Sequence, residues 1–312
     1  MQNELNGIFV IDKPVNVTSA QVVARVKKLL GVRKAGHTGT LDPFATGVML
    51  CCVNQATKLA RFFLHGDKTY EAVLHLGIET DTQDLTGTII SRHDEINISE
   101  ETITSVFRQF EGKTEQVPPV YSALKHKGVP LYKLARKGKP VQKPARQVFI
   151  SSINILDISL PEIRFDVSCS GGTYIRTLAS DIGASLGCGG HLKELRRTKS
   201  TGFTINEAVS LSELAQLISP EGEFSRVSDR MVPMSDALRD MPAYVADNVL
   251  TKKIMYGNVI TKKDVMLAET DNTQNFVKIV DTDNNLLAIL SDNKGSHRYK
   301  YCCVFHSSQT DK

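Results

Sequence analysis

The sequence predicts an α+β protein, a mixed central sheet with flanking helices followed by a small C-terminal β domain. Three observations predict it. Apolar residues alternate at Tyr70, Ala72, Leu74 and Leu76, and again at Ile163, Phe165, Val167 and Cys169, the period of half-buried strands. Stretches with helical apolar spacing separate these segments, so long connections join the strands. Beyond Pro242 only short apolar runs remain, divided by Asp, Asn and Gly turns. At 312 residues the chain is long for one core, which predicts two domains, 1–241 and 242–312.

Taken in order, residues 8–11 read as a strand closed by Pro14. Thr18-Ser19 offers an N-cap to a helix with Val22, Val26, Leu29 and Leu30 on one face and Arg25, Lys27 and Lys28 on the rest. Residues 48–53 form an apolar strand, and 70–76 the first alternating one. Ser99 begins a helix showing Ile103, Val106, Phe107 and Phe110; Ile175, Leu178, Ile182 and Leu186 mark another, ending at Gly187. Ser210-Leu211-Ser212-Glu213 is a capping box opening a short helix, and 220–234 then turns polar and irregular. Strands follow at 276–280, 286–290 and 301–305.

With 41% hydrophobic and 23% charged residues, the composition is that of a soluble globular protein. No apolar run is long enough to cross a bilayer, so no membrane role is expected. Residues 1–7 are polar and carry Glu4, unlike a secretory signal, which predicts a cytoplasmic protein. The six cysteines, Cys51-Cys52, Cys302-Cys303, Cys169 and Cys188, show no CxxC spacing. They read as small buried hydrophobes, not as a zinc or disulfide framework. The net charge is +4, but its distribution is uneven: residues 125–146 hold eight Lys or Arg and no acid, whereas 79–101 hold seven acids and one Arg. Taken alone, the basic run is a solvated loop; beside a catalytic motif it becomes a phosphate-binding surface for a polyanion.

Residues 36–47, Gly-His-Thr-Gly-Thr-Leu-Asp-Pro-Phe-Ala-Thr-Gly, set one carboxylate, Asp42, in a glycine-punctuated loop directly before a buried strand. The Asp42-Pro43 dipeptide by itself is a turn. The glycine spacing fits neither GxxxxGK[ST] nor GxGxxG, so nucleotide-loop chemistry is excluded. Asp81-Thr82-Gln83-Asp84 and the Asp281, Asp283 pair lack the spacing of a calcium loop and read as Asx turns; no metal site is predicted.

Further segments accompany that loop in order: Lys13-Pro14, Lys68-Thr69-Tyr70, Val117-Pro118-Pro119 with Ser122-Ala123-Leu124-Lys125, Gly172-Thr173-Tyr174-Ile175-Arg176, and 191–197. Together they resemble the TruB-type tRNA pseudouridine synthases, the bacterial enzymes for the T-loop uridine, position 55 of tRNA. The resemblance runs from about residue 7 to 236. It implies the pseudouridine synthase fold, with a largely antiparallel central sheet, an RNA-binding insertion around 125–146, and a PUA-like RNA-binding domain in the tail, which matches only by position and strand content.

The implied reaction breaks the bond from ribose C1′ to uracil N1, turns the base and joins C1′ to C5. It needs no cofactor. The resemblance gives Asp42 the attack on the sugar or the removal of its proton, and Arg176 the pairing that keeps it ionised. Tyr70 becomes the stacking platform for the flipped base, although an inward core aromatic explains its periodicity equally well. Tyr174 and Leu195 line the pocket and Lys13 with Pro14 braces it, packing and function being equally open for all four. His37 enters the RNA loop as a stacking ring. Lys125, Lys127, Lys133, Arg136, Arg196 and Arg197 hold RNA backbone. The partner implied is the tRNA T arm, bound by a monomer with no obligate protein partner. Two alternatives remain: a guide-RNA-dependent relative working with protein partners, and an RNA-folding factor with an idle site.

Overall fold

The computed structural model describes residues 5–218, 225–266, 275–292 and 296–305. In chain order its main elements are β1 (Gly7–Lys13), α1 (Ser19–Leu30), β2 (Ala35–His37), β3 (Thr46–Val53), β4 (Lys68–Leu76), α2 (Glu100–Gln109), β5 (Gly112–Gln116), β6 (Arg146–Ser159), β7 (Glu162–Cys169), α3 (Ile175–Ser185), β8 (Gly190–Ser200), β9 (Val209–Ser210), α4 (Leu211–Ile218) and β10 (Met231–Pro233). A second sheet follows, with β11 (Ala243–Val245), α5 (Asn248–Met255), β12 (Phe276–Val280), β13 (Leu286–Asp292) and β14 (Tyr299–Val304).

The main sheet runs β9-β1-β3-β8-β4-β7-β6-β5. Most neighbours are antiparallel, and β3 meets β8 in parallel at Arg196↔Thr46 and Arg197↔Gly47. The expected mixed, largely antiparallel sheet is therefore present. At the parallel seam Gly47 has φ +100°, and a Cβ there would collide with the Arg197 carbonyl. Only glycine permits this approach.

Local chemistry accounts for the helix ends. Thr18 and Gln21 cap α1 reciprocally, and Gly31 closes it in the left-handed conformation. Ser99 caps α2, and Ser210 with Glu213 forms the box before α4. The stretch expected to be irregular is partly ordered: residues 220–224 lie outside the described ones, but a short helix, Ser225–Asp229, follows and β10 pairs with β1. An edge of β1 left open for pairing overrides the weak local pattern of Met231–Pro233.

Alternation along β1 and β3 sends Phe9, Ile11, Met49, Cys51 and Val53 toward α1 and α4. Ile8, Val10, Val48, Leu50 and Cys52 face the other way, into a cluster shared with Val280, Leu286, Ile289 and Phe305 of the C-terminal segment. Cys51 and Cys52 thus fill opposite faces, and all six cysteines are free thiols. Lys278 adds hydrogen bonds to the Ser235 and Leu238 carbonyls, at 2.9 and 2.8 Å. No helix among the described residues is long and apolar enough to cross a membrane.

Because Ile289 is fully buried in that shared cluster, Ile289→Ala will cost about 2–5 kcal/mol. Hydrogen exchange at the Ile8 and Val10 amides will accelerate together with that of β13, since one core serves both sheets.

Candidate active site

The loop between β2 and β3 is fastened from three sides. Lys13, fully buried at the end of β1, donates through Nζ to the carbonyls of Pro14, Pro43 (3.1 Å) and Ala45. Ser19, the first residue of α1, accepts from the Leu41 amide (2.9 Å) and donates to the Leu41 carbonyl (3.0 Å). Arg197, 2% exposed, donates to the Val48 carbonyl at 2.7 Å and the Gly39 carbonyl at 3.4 Å. Burial lowers the Lys13 pKa to about 8, with the Asp42 charge opposing. That is a desolvated ammonium spent on backbone oxygens.

Asp42, at the crest of this loop, meets Arg176 of α3. Nε donates to Oδ2 at 2.9 Å and an η nitrogen to Oδ1 at 3.4 Å. The guanidinium is almost completely buried, and its other donors reach the Thr82 and Tyr121 carbonyls, each at 2.8 Å. Asp84 lies 3.6 Å away on the far side. Its carboxylate also accepts from Thr82 Oγ1, Thr86 N and Thr86 Oγ1. Burial drives the Asp42 pKa above the ordinary carboxylate value, opposed by the charge and hydrogen bond of Arg176 and by Lys13, and reinforced by Asp84.

Tyr70 stands on β4, 6% exposed, in one apolar cluster with Leu41 and Leu195. Leu195 pairs across the sheet with Ala72. Burial pushes the Tyr70 phenol pKa up, with Arg197 opposing, so the ring is a neutral, core-backed surface. Tyr174 is the N-cap residue of α3 and lies under the Arg146 guanidinium, 4.9 Å from its centroid. His37 is half-buried on β2, accepts from Gly39 N at 3.4 Å, and has its pKa lowered by burial and by Arg197.

Asp42, Arg176, Tyr70, Leu195 and Lys13 are thus gathered around one loop. Pro14 is exposed beside Lys13. Lys125, Lys127, Lys133 and Arg136 are exposed on the insertion. Arg196 is held by Asp12 at 2.8 Å and keeps 40% of its side chain exposed. One expectation is corrected: Arg197 cannot grip RNA backbone, because its guanidinium is interior and fastens the loop. Alternation on β8 sends it inward when Arg196 points out.

Three contributors were not legible in the chain. Asp84 is an Asx turn, as its Thr86 contact requires, but it is also the second carboxylate on Arg176. Ser19 reads as a helix start and serves as a loop clasp. Gln116 had no visible signal. Its buried amide grips the Tyr174 backbone, accepting from N at 2.7 Å and donating to O at 2.9 Å.

Comparison with known proteins gives consistent matches. A family model described as TruB family pseudouridylate synthase (N terminal domain) matches residues 27–175, and one described as tRNA pseudouridylate synthase B C-terminal domain matches residues 176–239. The tRNA pseudouridine synthase B of Syntrophotalea carbinolica is 43% identical over 266 residues, 85% of each chain. That of Geobacter sulfurreducens is 44% identical over 84% of each chain. That of Bordetella avium is 48% identical over 70% of this chain and 90% of its own. Among solved structures, a Cbf5-Nop10-Gar1 complex aligns with TM-score 0.73 at 25% identity, covering 96% of this chain and 85% of the other. An archaeal box H/ACA sRNP Nop10-Cbf5 complex aligns at 0.75 and 24%, covering 98% and 88%.

The charges around Asp42 make opposite demands that a carboxyl ¹³C titration will separate. Asp84→Asn removes a facing negative charge, so the Asp42 pKa will fall. Lys13→Met removes a positive one, so it will rise.

Proposed function

Since the chain belongs to the TruB family of pseudouridine synthases, we propose that it isomerises the T-loop uridine, position 55 of tRNA, to pseudouridine, with Asp42 as the catalytic carboxylate. The observation that carries this reading is the Asp42–Arg176 pair at 2.9 Å, in which the carboxylate keeps a third of its side chain open while the guanidinium is almost fully buried. A carboxylate so held can reach a sugar carbon or proton presented to it, and the cation favours its ionised form. Either route, attack at C1′ or proton removal from the ribose, uses this placement.

The target base must leave its stack, at a cost of roughly a few kcal/mol, and be received on an apolar face. Tyr70 and Leu195, backed by the core, offer that face, and Tyr174 stands at the start of the helix that carries Arg176. His37, neutral and half-buried, is suited to stacking into the loop the base vacates. The exposed Lys125, Lys127, Lys133 and Arg136, with the part-exposed Arg196 of β8, supply phosphate contacts. Because the insertion lies within the chain, it supports a monomer that grips the T arm without an obligate protein partner. A division into a catalytic unit, 1–241, and a PUA-like RNA-binding unit, 242–312, belongs to the same proposal, with residues 267–274, 293–295 and 306–312 outside the described ones. The guide-RNA-dependent alternative rests on the Cbf5 likeness, which at 24–25% identity speaks mainly to fold.

Tritium release from C5-labelled tRNA tests the reading. Wild type will release label, and Asp42→Asn will lose roughly 10⁴-fold or more in rate while still binding tRNA. No release from either, with intact binding, would instead identify a folding factor. The acid limb of the wild-type rate will lie above the ordinary carboxylate value of about 4, because activity fails as pH falls through the raised Asp42 pKa. Replacing Lys125, Lys127, Lys133 or Arg136 by Ala will weaken binding and reduce its salt slope by about one unit per lost phosphate contact.

A further inference from the structure

The two ends of the basic insertion meet on the segment that carries Tyr174 and Arg176. Gln116 ends β5, Arg146 begins β6, and the two are register partners across the ladder. Everything between them is the insertion. Gln116, 3% exposed, spends both ends of its amide on one residue, holding the Tyr174 amide and carbonyl at 2.7 and 2.9 Å. Tyr174 caps α3 without a side-chain cap of its own, so these bonds fix where the helix starts.

Arg146 grips the same segment from its other side. Its guanidinium lies over the Tyr174 ring, and an η nitrogen donates to the Gly172 carbonyl. Its Nε is buried without a hydrogen-bond partner, an arrangement that favours the ring contact over full satisfaction of the donor. Contact also runs outward, because Arg176 donates to the Tyr121 carbonyl inside the insertion at 2.8 Å. Gln142 donates to the Pro118 carbonyl at 3.1 Å and closes the neck. A side chain two residues after Tyr174 is therefore set partly by the strand ends from which the insertion departs.

From this geometry we infer that Gln116 and Arg146 are positioning residues, which hold Tyr174 and the start of α3 so that Arg176 faces Asp42. The inference rests on the proposed function for its rate effects, but not for its structural ones. It adds two residues, neither of which touches the reacting atoms, to the set on which the reaction depends.

The test uses the full chain and T-arm RNA, with single-turnover rate and RNA Kd measured separately and amide exchange followed at Tyr174 and at Leu178, whose amide donates to the Tyr174 carbonyl. Gln116→Leu removes both bonds at similar volume. It will speed exchange at both amides and lower the rate at saturating RNA about tenfold, with Kd changed less than about twofold. Arg146→Met will lower the rate by less in a Tyr174→Leu background than in the wild-type background, since the ring contact is then already gone and only the bond to the Gly172 carbonyl is left to lose, whereas Arg146→Lys will retain most of the wild-type rate. Unchanged exchange in Gln116→Leu overturns the inference. So does a loss confined to Kd, or an Arg146→Met loss of equal size in both backgrounds. If Gln116→Leu fails to fold, as a thermal melt will reveal, the Arg146 arm decides. A wild type that makes no pseudouridine but exchanges as described overturns the proposed function and leaves the positioning role standing.

Discussion

The site depends on a buried guanidinium. Arg176 sits between Asp42 and Asp84, and its remaining contacts are the carbonyls of Thr82 and Tyr121. A cation removed from water is tolerated only when its donors are matched and its charge is opposed. Four separate stretches of chain must therefore be in place before it can be buried: the Asp42 loop, the turn around Asp84, the base of the insertion and α3. The reward is a carboxylate whose position is set and whose charge is balanced against burial, rather than one left to solvent.

Around that centre the backbone is held by side chains acting as struts. The turn carrying Asp84 is stitched to β8, where Leu85 N reaches the Leu192 carbonyl and Leu192 N the Gln83 carbonyl. The Asp42 loop hangs from Lys13, Ser19 and Arg197, two desolvated cations and a hydroxyl directed at loop backbone. Such contacts orient a loop more sharply than apolar packing can, because each has a preferred direction. The parallel contact of β3 with β8, permitted by Gly47, brings Arg197 and the loop together in the first place. Rigidity at the acid and exposure at the insertion thus coexist, the first suited to chemistry and the second to a long anionic partner.

Much of this was legible in the chain. Alternation at Tyr70–Leu76 and Ile163–Cys169, the caps at Thr18, Ser99 and Ser210, and the apolar run after the Asp42 loop all report interactions within a few residues, and such signals survive in one dimension. The glycine-rich loop and the Gly172–Arg176 segment were legible through their resemblance to a family, because their motifs are contiguous. The pairing of β10 with β1 was hidden by a short, weakly patterned segment whose partner lies more than two hundred residues earlier. The direction of Arg197 was hidden too, since two adjacent arginines look alike until a strand assigns them opposite faces.

By itself, then, the sequence determined the α+β class, the helix and strand periods, and the basic character of the insertion. These follow from local patterns and from residue types that carry charge wherever they are placed. Tertiary structure alone decided that Asp84 shares Arg176, that Ser19 and Arg197 fasten the loop, that Gln116 anchors Tyr174, and that the C-terminal sheet closes one core with β1 and β3. Each of these joins residues far apart in the chain. What makes them partners is burial in a common low-dielectric space, which leaves no mark on the order of residues.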